Sequence, residues 1–417
     1  MIHRPVKVLH ALSILQERDL LQPIPPLAGC APCWNIFRLH EALETSFLIS
    51  SKVFSACTKD QLPLLVKGSP KGDYQWISFL EIERKTSSFL THLHPLSQSV
   101  MRKILDTNTW LSYRYLRQLV KCFRQNNFDL FVLDDGPQNL RYLRKFIPRS
   151  KLAFFLRGQI GMSRAHLGSV GLIITTNENL RDYSIDQLPE GSEHPVVKIV
   201  PNSLGPEFFD LNHFPRRMPN EEGVNFKIVF AGRIVPEKGV RELIEAFKIV
   251  YKRYPRSHLS IIGSPIIGNN ASTEYYETVK RLASDIGDTA VSILGHIPYS
   301  EMASHYLRSH LAVFPSTWVE GFGMVALEAM RCGLPVIVSR RPGFLSFVED
   351  GKNGIVVNDP KNIQELAEKI ERLILDPALA QQLAQKGYET SLVYTPENAA
   401  RMYEEAITSF IASQRNS

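Results

Sequence analysis

Short apolar runs alternate with helical patterns along most of the chain. Runs such as 152–156 and 311–314 place four or five apolar residues between turn formers, which is typical of strands buried on both faces of a parallel sheet. Longer segments such as 240–253 and 363–375 have apolar positions every three or four residues, which predicts amphipathic helices. The alternation predicts an α/β fold built on parallel sheets.

The pattern predicts most strands and helices with approximate bounds. It predicts strands at about 7–12, 47–53, 130–133, 152–156, 172–176, 198–200, 227–230, 258–263, 291–294, 311–314 and 336–339. It predicts helices at about 110–125, 178–183, 240–253, 275–286, 301–308, 324–331, 363–375, 378–388 and 396–413. Residues 55–110 show only weak periodicity and yield no order of elements.

A polar stretch with several prolines at 204–223 is the best domain boundary, because exposed linkers of this composition commonly join domains. A chain of 417 residues is long enough for two or three domains. We therefore predict an N-terminal domain at 1–205, a C-terminal domain at 206–395 and a final helical segment at 396–417.

Composition is that of an ordinary globular protein. Hydrophobic residues make up 44% of the chain and charged residues 22%. The formal net charge of +6 is modest, and without a dominant basic block it argues against a nucleic-acid binder. No apolar run is long enough for a membrane span or a signal peptide. We expect a cytoplasmic protein.

The cysteines number five, and an odd set in mostly apolar surroundings predicts free thiols in a reducing compartment. Cys30 and Cys33 have the spacing of a redox motif. Because they lie in a proline-rich loop and no second pair exists, they favour neither redox chemistry nor a zinc site.

The stretch from Phe314 to Ser339 carries the clearest candidate chemistry. A loop with Glu320-Gly321-Phe322-Gly323 joins a predicted strand to a helix that contains Glu328. The glycines let the backbone approach a ligand, and the first helical amides suit a phosphate or a sugar oxygen. Carboxylates accept paired hydroxyls from ribose or a hexose. Two solvated helix-end charges are the alternative, but the position between two apolar strands favours a buried polar site.

A second loop follows the predicted strand at 227–230 and leads into the helix at 240–253. It holds Gly232, Arg233 and Lys238. A planar guanidinium, a compact ammonium and free helix amides suit a diphosphate. Taken alone, this segment is explained equally well as a plain surface loop.

Together the two loops resemble the retaining glycosyltransferases of family 4. The resemblance runs through Glu320-Gly321-Phe322-Gly323, Glu328-Ala329-Met330 and Gly333-Leu334-Pro335-Val336, which is similar to the family's Glu-x7-Glu signature. Gly232-Arg233 and Lys238-Gly239 resemble its Gly-Arg…Lys-Gly motif. The likeness is extensive in the second half of the chain and thin in the first.

This resemblance implies the GT-B fold, in which two Rossmann-like domains face a central cleft and the C-terminal helix crosses back to the N-terminal domain. It implies transfer of a sugar from a nucleotide-diphosphate donor to an acceptor hydroxyl with retention, and no metal or other cofactor. The residues implied in donor binding are Gly232, Arg233, Lys238, Gly263, Glu320, Gly321, Phe322, Gly323, Met324 and Glu328.

Arg233, Lys238 and Glu320 are the implied catalytic residues. The two cations would stabilise charge on the departing diphosphate, which is the largest electrostatic demand of such a step. Glu320 would hold hydroxyls of the transferred sugar, and Glu328 would hold the ribose.

The first half departs from the family pattern. Gly29 stands alone where members often have paired glycines, and Arg157 follows a strand where they often carry His. These two residues are the candidates for the acceptor side. Arg157 either binds an anionic group or pairs with Asp134 or Asp135. In the second half, Ser346 replaces a common Glu.

Four cations on the predicted helix at 110–125 lie on one side at helical spacing: Arg114, Arg117, Lys121 and Arg124. They form either a solvated face or a surface that rests on anionic lipid. Since acceptors in the family are frequently lipid-linked, peripheral contact with the cytoplasmic membrane face is a further hypothesis.

We expect a transferase that uses a UDP- or GDP-type sugar and a carbohydrate or lipid-linked acceptor in cell-surface polysaccharide or glycolipid synthesis. A GT-B phosphorylase, which would use free phosphate, and a nucleotide-sugar epimerase, which needs no acceptor, are the nearer alternatives. A non-catalytic sugar-nucleotide-binding protein is the farther one. It would be expected to lack Arg233, Lys238 or Glu320, and all three are present.

Overall fold

The computed structural model describes the following residues: 4–12, 16–17, 20–21, 31–58, 73–79, 107–134, 136–159, 167–188, 194–209, 225–265 and 273–416. The chain forms two compact units, one of residues 1–201 with 396–417 and one of residues 202–395. Most of the stretch interpreted as a linker, and Gly29 and Cys30, lie outside the described residues.

Each unit is built on a parallel sheet. The strands of the first are β1 (Val6–Leu12), β4 (Ile49–Thr58), β5 (Asp73–Phe79), β6 (Leu130–Asp134), β7 (Leu152–Leu156), β8 (Leu172–Thr175) and β9 (Val196–Ile199), in the order β5-β4-β1-β6-β7-β8-β9. The strands of the second are β10 (Phe226–Ala231), β11 (Ser257–Ile262), β12 (Val291–Gly295), β13 (Leu311–Phe314), β14 (Val336–Ser339) and β15 (Ile355–Val357), in the order β12-β11-β10-β13-β14-β15. A short antiparallel pair, β2 (Gln16–Glu17) and β3 (Leu20–Leu21), stands apart.

Helices connect the strands. They are α1 (Ala31–Leu43), α2 (Thr107–Gln125), α3 (Leu140–Leu143), α4 (Glu178–Asp186), α5 (Val240–Arg253), α6 (Glu274–Ser284), α7 (Tyr299–Leu307), α8 (Met324–Arg331), α9 (Pro342–Leu345), α10 (Ile363–Leu375), α11 (Pro377–Ser391) and α12 (Pro396–Asn416). The sequence pattern did not resolve β5, which pairs with β4 inside the weakly periodic region.

The first unit has a core on each face of its sheet. Leu119, Phe131 and Phe154 belong to one cluster. The other includes Tyr403 and Phe410 of α12, so the last helix completes the first unit, as predicted. Strands β6, β7 and β8 are buried at every residue, which explains their uninterrupted apolar sequences.

The second unit shows why the sequence pattern predicted its elements. The buried residues of α5 recur at helical spacing and cover one face: Val240, Leu243, Ile244, Ala246, Phe247 and Val250. Because β10 and β13 are neighbours in the sheet, the loops that follow them emerge side by side at its carboxyl edge. Such an edge, where the strand order reverses, is where parallel α/β sheets bind ligands.

Among the residues that the structure describes, no helix is both long enough and apolar enough to span a membrane.

Candidate active site

The loop after β10 and the loop after β13 form one surface. Thr317 donates its backbone N–H to Glu237 O over 2.9 Å and its hydroxyl to Pro236 O over 2.9 Å. Gly239, with φ +69°, packs so closely that a Cβ there would lie 2.0 Å from the carbonyl oxygen of Pro315. This contact and the left-handed backbone together require glycine.

Lys238 and Glu320 meet across this surface. Lys238 Nζ forms an ion pair with Glu320 Oε1, and the Ser316 hydroxyl donates to the same oxygen over 2.5 Å. The side chains are 27% and 12% exposed. The structure thus brings together two of the predicted catalytic residues, which lie 82 positions apart, in a pair that solvent can still reach.

Two residues outside the predicted set hold the loop after β13, which carries Glu320, in place. Arg341 donates from Nε to Ser316 O and from Nη2 to Thr317 O, each over 3.0 Å. The Gly343 N–H donates to Glu320 O over 3.1 Å, and a Cβ on Gly343 would lie 2.4 Å from that oxygen. Sequence analysis did not select Arg341 or Gly343, although their Arg-Pro-Gly context is a turn signal.

Helix α8 begins at this loop. Gly323 has φ +92°, and a Cβ there would lie 2.4 Å from the Phe344 ring. Phe322 is 5% exposed and packs on Phe347 and Tyr394 at centroid distances of 5.6 and 5.8 Å. Its ring therefore anchors the loop in the core of the second unit.

The end of β11 joins the same edge. Gly232 donates its N–H to Ile262 O over 3.0 Å. A Cβ on Gly263, which has φ +141°, would lie 1.8 Å from Gly232 O. Arg233 is exposed on the loop after β10. The order of the strands thus places Gly263 beside the loop after β10, which carries the other predicted donor residues Gly232, Arg233 and Lys238.

Glu328 lies inside the unit, on α8, and is 5% exposed. Its Oε1 accepts the Tyr299 hydroxyl over 3.1 Å and its Oε2 accepts the Tyr306 hydroxyl over 3.3 Å. Burial, followed by the charge of Glu328, raises the pKa of Tyr306 well above its ordinary value, so this hydroxyl remains a donor. Sequence analysis missed both tyrosines, and no local motif marks them.

In the first unit the structure resolves the alternatives for Arg157. Its Nε lies 2.9 and 2.8 Å from the two carboxylate oxygens of Asp134, and its Nη2 lies 2.8 Å from Oδ2. The guanidinium stacks 3.9 Å above the centroid of the Phe155 ring. Arg157 therefore pairs with Asp134, while Asp135 lies outside the described residues.

Two buried histidines extend this pair into the core. His10 Nε2 lies 3.4 Å from Asp134 Oδ2, so we infer that Nε2 carries the proton and that Nδ1 is an acceptor. His40 Nε2 lies 2.7 Å from that Nδ1, and His40 Nδ1 lies 2.7 Å from the Ser51 hydroxyl. The Tyr403 hydroxyl of α12 also reaches His10 Nδ1, at 3.3 Å.

The charges of this network follow from its burial. Desolvation lowers the pKa of His10 and of His40, so both rings are neutral. Burial alone would raise the pKa of Asp134, but the charge of Arg157 and the hydrogen bond from His10 bring it below its ordinary value. The network is therefore a carboxylate and a guanidinium joined to a neutral histidine pair.

Within the described ranges, no group of three or more His, Cys, Asp or Glu residues is arranged to hold a metal ion. Cys122 and Cys332 are buried free thiols. Ser346, which stands in place of the family's Glu, donates its hydroxyl to Gly343 O over 2.6 Å.

The sequence of this chain is similar to those of known glycosyltransferases. Residues 215–390 match the family described as glycosyl transferases group 1. The chain is 27% identical over 389 residues to the lipopolysaccharide 1,2-N-acetylglucosaminetransferase of Salmonella typhimurium, which covers 92% of this chain and 94% of that protein. It is 34% identical over 163 residues to the capsular polysaccharide biosynthesis glycosyltransferase CapM of Staphylococcus aureus, which covers 39% and 40% of the two chains.

Solved structures share the fold over nearly the whole chain. Anabaena Alr3699/HepE, in complex with UDP, superposes with a TM-score of 0.67 at 18% identity and covers 97% of this chain and 100% of its own. Sucrose-phosphate synthase from Thermosynechococcus elongatus superposes with a TM-score of 0.70 at 19% identity and covers 98% and 100%.

Proposed function

We propose that this chain, a glycosyltransferase of GT-B fold with a group 1 domain in its second unit, transfers a sugar from a nucleotide-diphosphate donor to an acceptor hydroxyl with retention. The observation that carries the proposal is the Lys238–Glu320 pair, which Ser316 and Arg341 hold at the carboxyl edge of the second sheet. It offers an anion-binding group and a hydroxyl-binding group in one place.

Donor binding would exchange the partners of this pair. The Lys238 ammonium would turn to a diphosphate oxygen, and the Glu320 carboxylate would accept hydroxyls of the transferred sugar. Arg233, exposed on the same loop as Lys238, would add a second cation as the diphosphate departs. In this proposal side chains of the protein supply the charge that stabilises the leaving group, and no cofactor takes part.

The relatives suggest the class of donor and acceptor. The Salmonella typhimurium relative is named for N-acetylglucosamine transfer to lipopolysaccharide, and the Anabaena structure contains UDP. We propose a UDP-type donor, with a GDP-type donor as the alternative, and a carbohydrate or lipid-linked acceptor in cell-surface polysaccharide or glycolipid synthesis. The first unit would serve the acceptor, with Gly29 as a candidate contact and with Arg157, which Asp134 holds in place, at its edge.

Contact with a membrane surface is a separate part of the proposal. Arg117, Lys121 and Arg124 are exposed along α2, and such a face can rest on anionic lipid at the cytoplasmic side of a membrane. Flotation with vesicles that contain anionic lipid should carry the protein upward, and neutral vesicles should not. A protein that floats with neither kind of vesicle would contradict the membrane contact and leave the rest of the proposal standing.

The deciding experiment is a thermal-shift screen against UDP-, GDP- and ADP-sugars, with wild type, Lys238→Ala and the control Lys352→Ala. Lys352 forms an exposed ion pair with Glu349, so its substitution should not change donor binding. A donor at about 100 times its Kd stabilises the protein by roughly 2.7 kcal/mol. We expect one donor to raise the Tm of wild type and the control, and to raise that of Lys238→Ala less.

Transfer with the donor so found should fall by about 100- to 1,000-fold in kcat for Lys238→Ala. NMR of the first-formed product should show the anomeric configuration of the donor. Inversion would overturn the retaining part, and turnover that needs free phosphate or no acceptor would support the phosphorylase or epimerase instead. A folded wild type that no nucleotide sugar stabilises would contradict the proposal.

A further inference from the structure

The surroundings of Glu328 differ from those of an exposed carboxylate on a helix surface. It is almost wholly buried, and burial of a carboxylate is costly unless hydrogen bonds satisfy it. Tyr299 and Tyr306 of α7 supply one bond to each oxygen. Seven positions apart, they lie two turns apart on one face of α7.

The two tyrosines differ in burial. Tyr306 is 0% exposed and packs on Phe208 at 6.3 Å between ring centroids, so its hydroxyl cannot leave Glu328 without disturbing the core. Tyr299 is the first residue of α7 and is only partly buried. It meets the edge of the same Phe208 ring at 5.6 Å.

A ribose hydroxyl and a tyrosine hydroxyl make the same kind of bond to a carboxylate. Both are neutral O–H donors, and a carboxylate has about four lone-pair positions. Tyr299 thus holds Glu328 Oε1 through the chemistry that a nucleotide would use there.

We propose that Tyr306 is a positioning residue that fixes the Glu328 carboxylate for the ribose, and that the Tyr299 hydroxyl is an exchangeable stand-in that the ribose displaces. This inference rests on the proposed nucleotide-sugar function. It assigns opposite effects to two tyrosines that bond to one side chain. Loss of Tyr306 should weaken ribose binding, whereas loss of the Tyr299 hydroxyl should strengthen it.

The test is isothermal titration of UDP and 2′,3′-dideoxy-UDP into wild type, Tyr306→Phe, Tyr299→Phe and the control Tyr251→Phe. If GDP is the nucleotide that binds, the guanosine pair is used. Tyr251 lies on α5 and packs on Phe247 at 5.8 Å, so its variant should behave as wild type. Wild type should bind UDP more tightly than the dideoxy nucleotide.

In Tyr306→Phe, affinity for UDP should fall by about tenfold while affinity for dideoxy-UDP stays the same. In Tyr299→Phe, affinity for UDP should rise by about threefold, again with no change for the dideoxy nucleotide. Equal weakening of both ligands by Tyr306→Phe would mean a purely structural role and overturn the positioning part. Unchanged or weaker UDP binding by Tyr299→Phe would overturn the exchange.

The failures of the two proposals can be told apart. A wild type that binds UDP and dideoxy-UDP equally overturns the present inference and leaves the transferase proposal standing. A wild type that binds no nucleotide overturns both. If Tyr306→Phe fails to fold, the partly exposed Tyr299→Phe variant decides the inference by itself, since the sign of its effect is the prediction.

Discussion

The carboxyl edges of the two sheets carry the same kind of pair in different surroundings. In the second unit, Lys238 and Glu320 are 27% and 12% exposed. In the first unit, Arg157 and Asp134 are 10% and 0% exposed. Each pair joins the carboxyl ends of two neighbouring strands or the loops after them: β10 with β13, and β6 with β7.

What lies behind each pair makes the difference. Ser316 supports Glu320 from within its own loop, and the proposed function requires the Lys238–Glu320 pair to open for a ligand. Asp134 is bound on one side by Arg157 and on the other by His10, which His40 and Tyr403 hold in turn. A buried ion pair of this kind is costly to break. The Arg157–Asp134 pair is therefore fixed within a buried network, whereas the Lys238–Glu320 pair is more exposed and, under the proposed function, would exchange partners with the donor.

The largest expected effect comes from removal of each carboxylate. Asp134→Ala leaves Arg157 without its buried partner and should reduce the local free energy of unfolding by about 3 kcal/mol. Glu320→Ala leaves an ammonium that water reaches and should cost about 1 kcal/mol or less. Hydrogen exchange of the backbone amides in β6 and in β13 measures the local free energy of unfolding of each unit separately.

The control for this contrast is Asp129→Ala. The partner of Asp129, Arg4, is 55% exposed, so this variant should lose less than about 1 kcal/mol of unfolding free energy. Equal losses for Asp134→Ala and Glu320→Ala would contradict the distinction between a fixed pair and an exchangeable one.

A smaller effect comes from glycines at the two edges. Gly239→Ala forces a Cβ against Pro315 O in a left-handed backbone and should destabilise the second unit by about 2 kcal/mol. Gly158→Ala in the first unit meets no atom within 4 Å and should change stability by less than about 0.5 kcal/mol. Thermal melts of both variants provide the measurement. A neutral Gly239→Ala would show that the two loops are not held together as described.

The smallest effect is in pH dependence. Folding lowers the pKa of His10 and His40, so the stability that their neutral forms provide is present above about pH 6.5 and is lost as pH falls below it. His40→Gln removes one of the two titrating groups. The slope of first-unit stability against pH should then decrease, by up to about 1.4 kcal/mol per pH unit.

Hydrogen exchange in β6 at several pH values measures this slope. A slope in β6 that is the same in His40→Gln as in wild type would mean that the histidine pair is not neutral in the folded protein.

Local pattern determined a large part of this protein. The bounds of β7, β13, β14, α5, α8 and α10 coincide with the predicted ones, because each depends on a compact apolar run, a helical stripe or a glycine or proline stop. The same stretches contain Lys238 and Glu320, whose meeting follows once β10 and β13 are neighbours. The α/β class and the resemblance to glycosyltransferases were therefore readable from sequence, and the comparisons confirm both at that level, without distinguishing family 4.

Tertiary structure alone decided which distant side chains became partners. Tyr306 reaches Glu328 across 22 positions and Tyr403 reaches His10 across 393, and neither tyrosine lies in a motif. Arg157 had two candidate partners in the sequence, and only the pairing of β6 with β7 selects Asp134. Periodicity reports which face of an element is buried, whereas the order of strands and the docking of helices determine what that face meets.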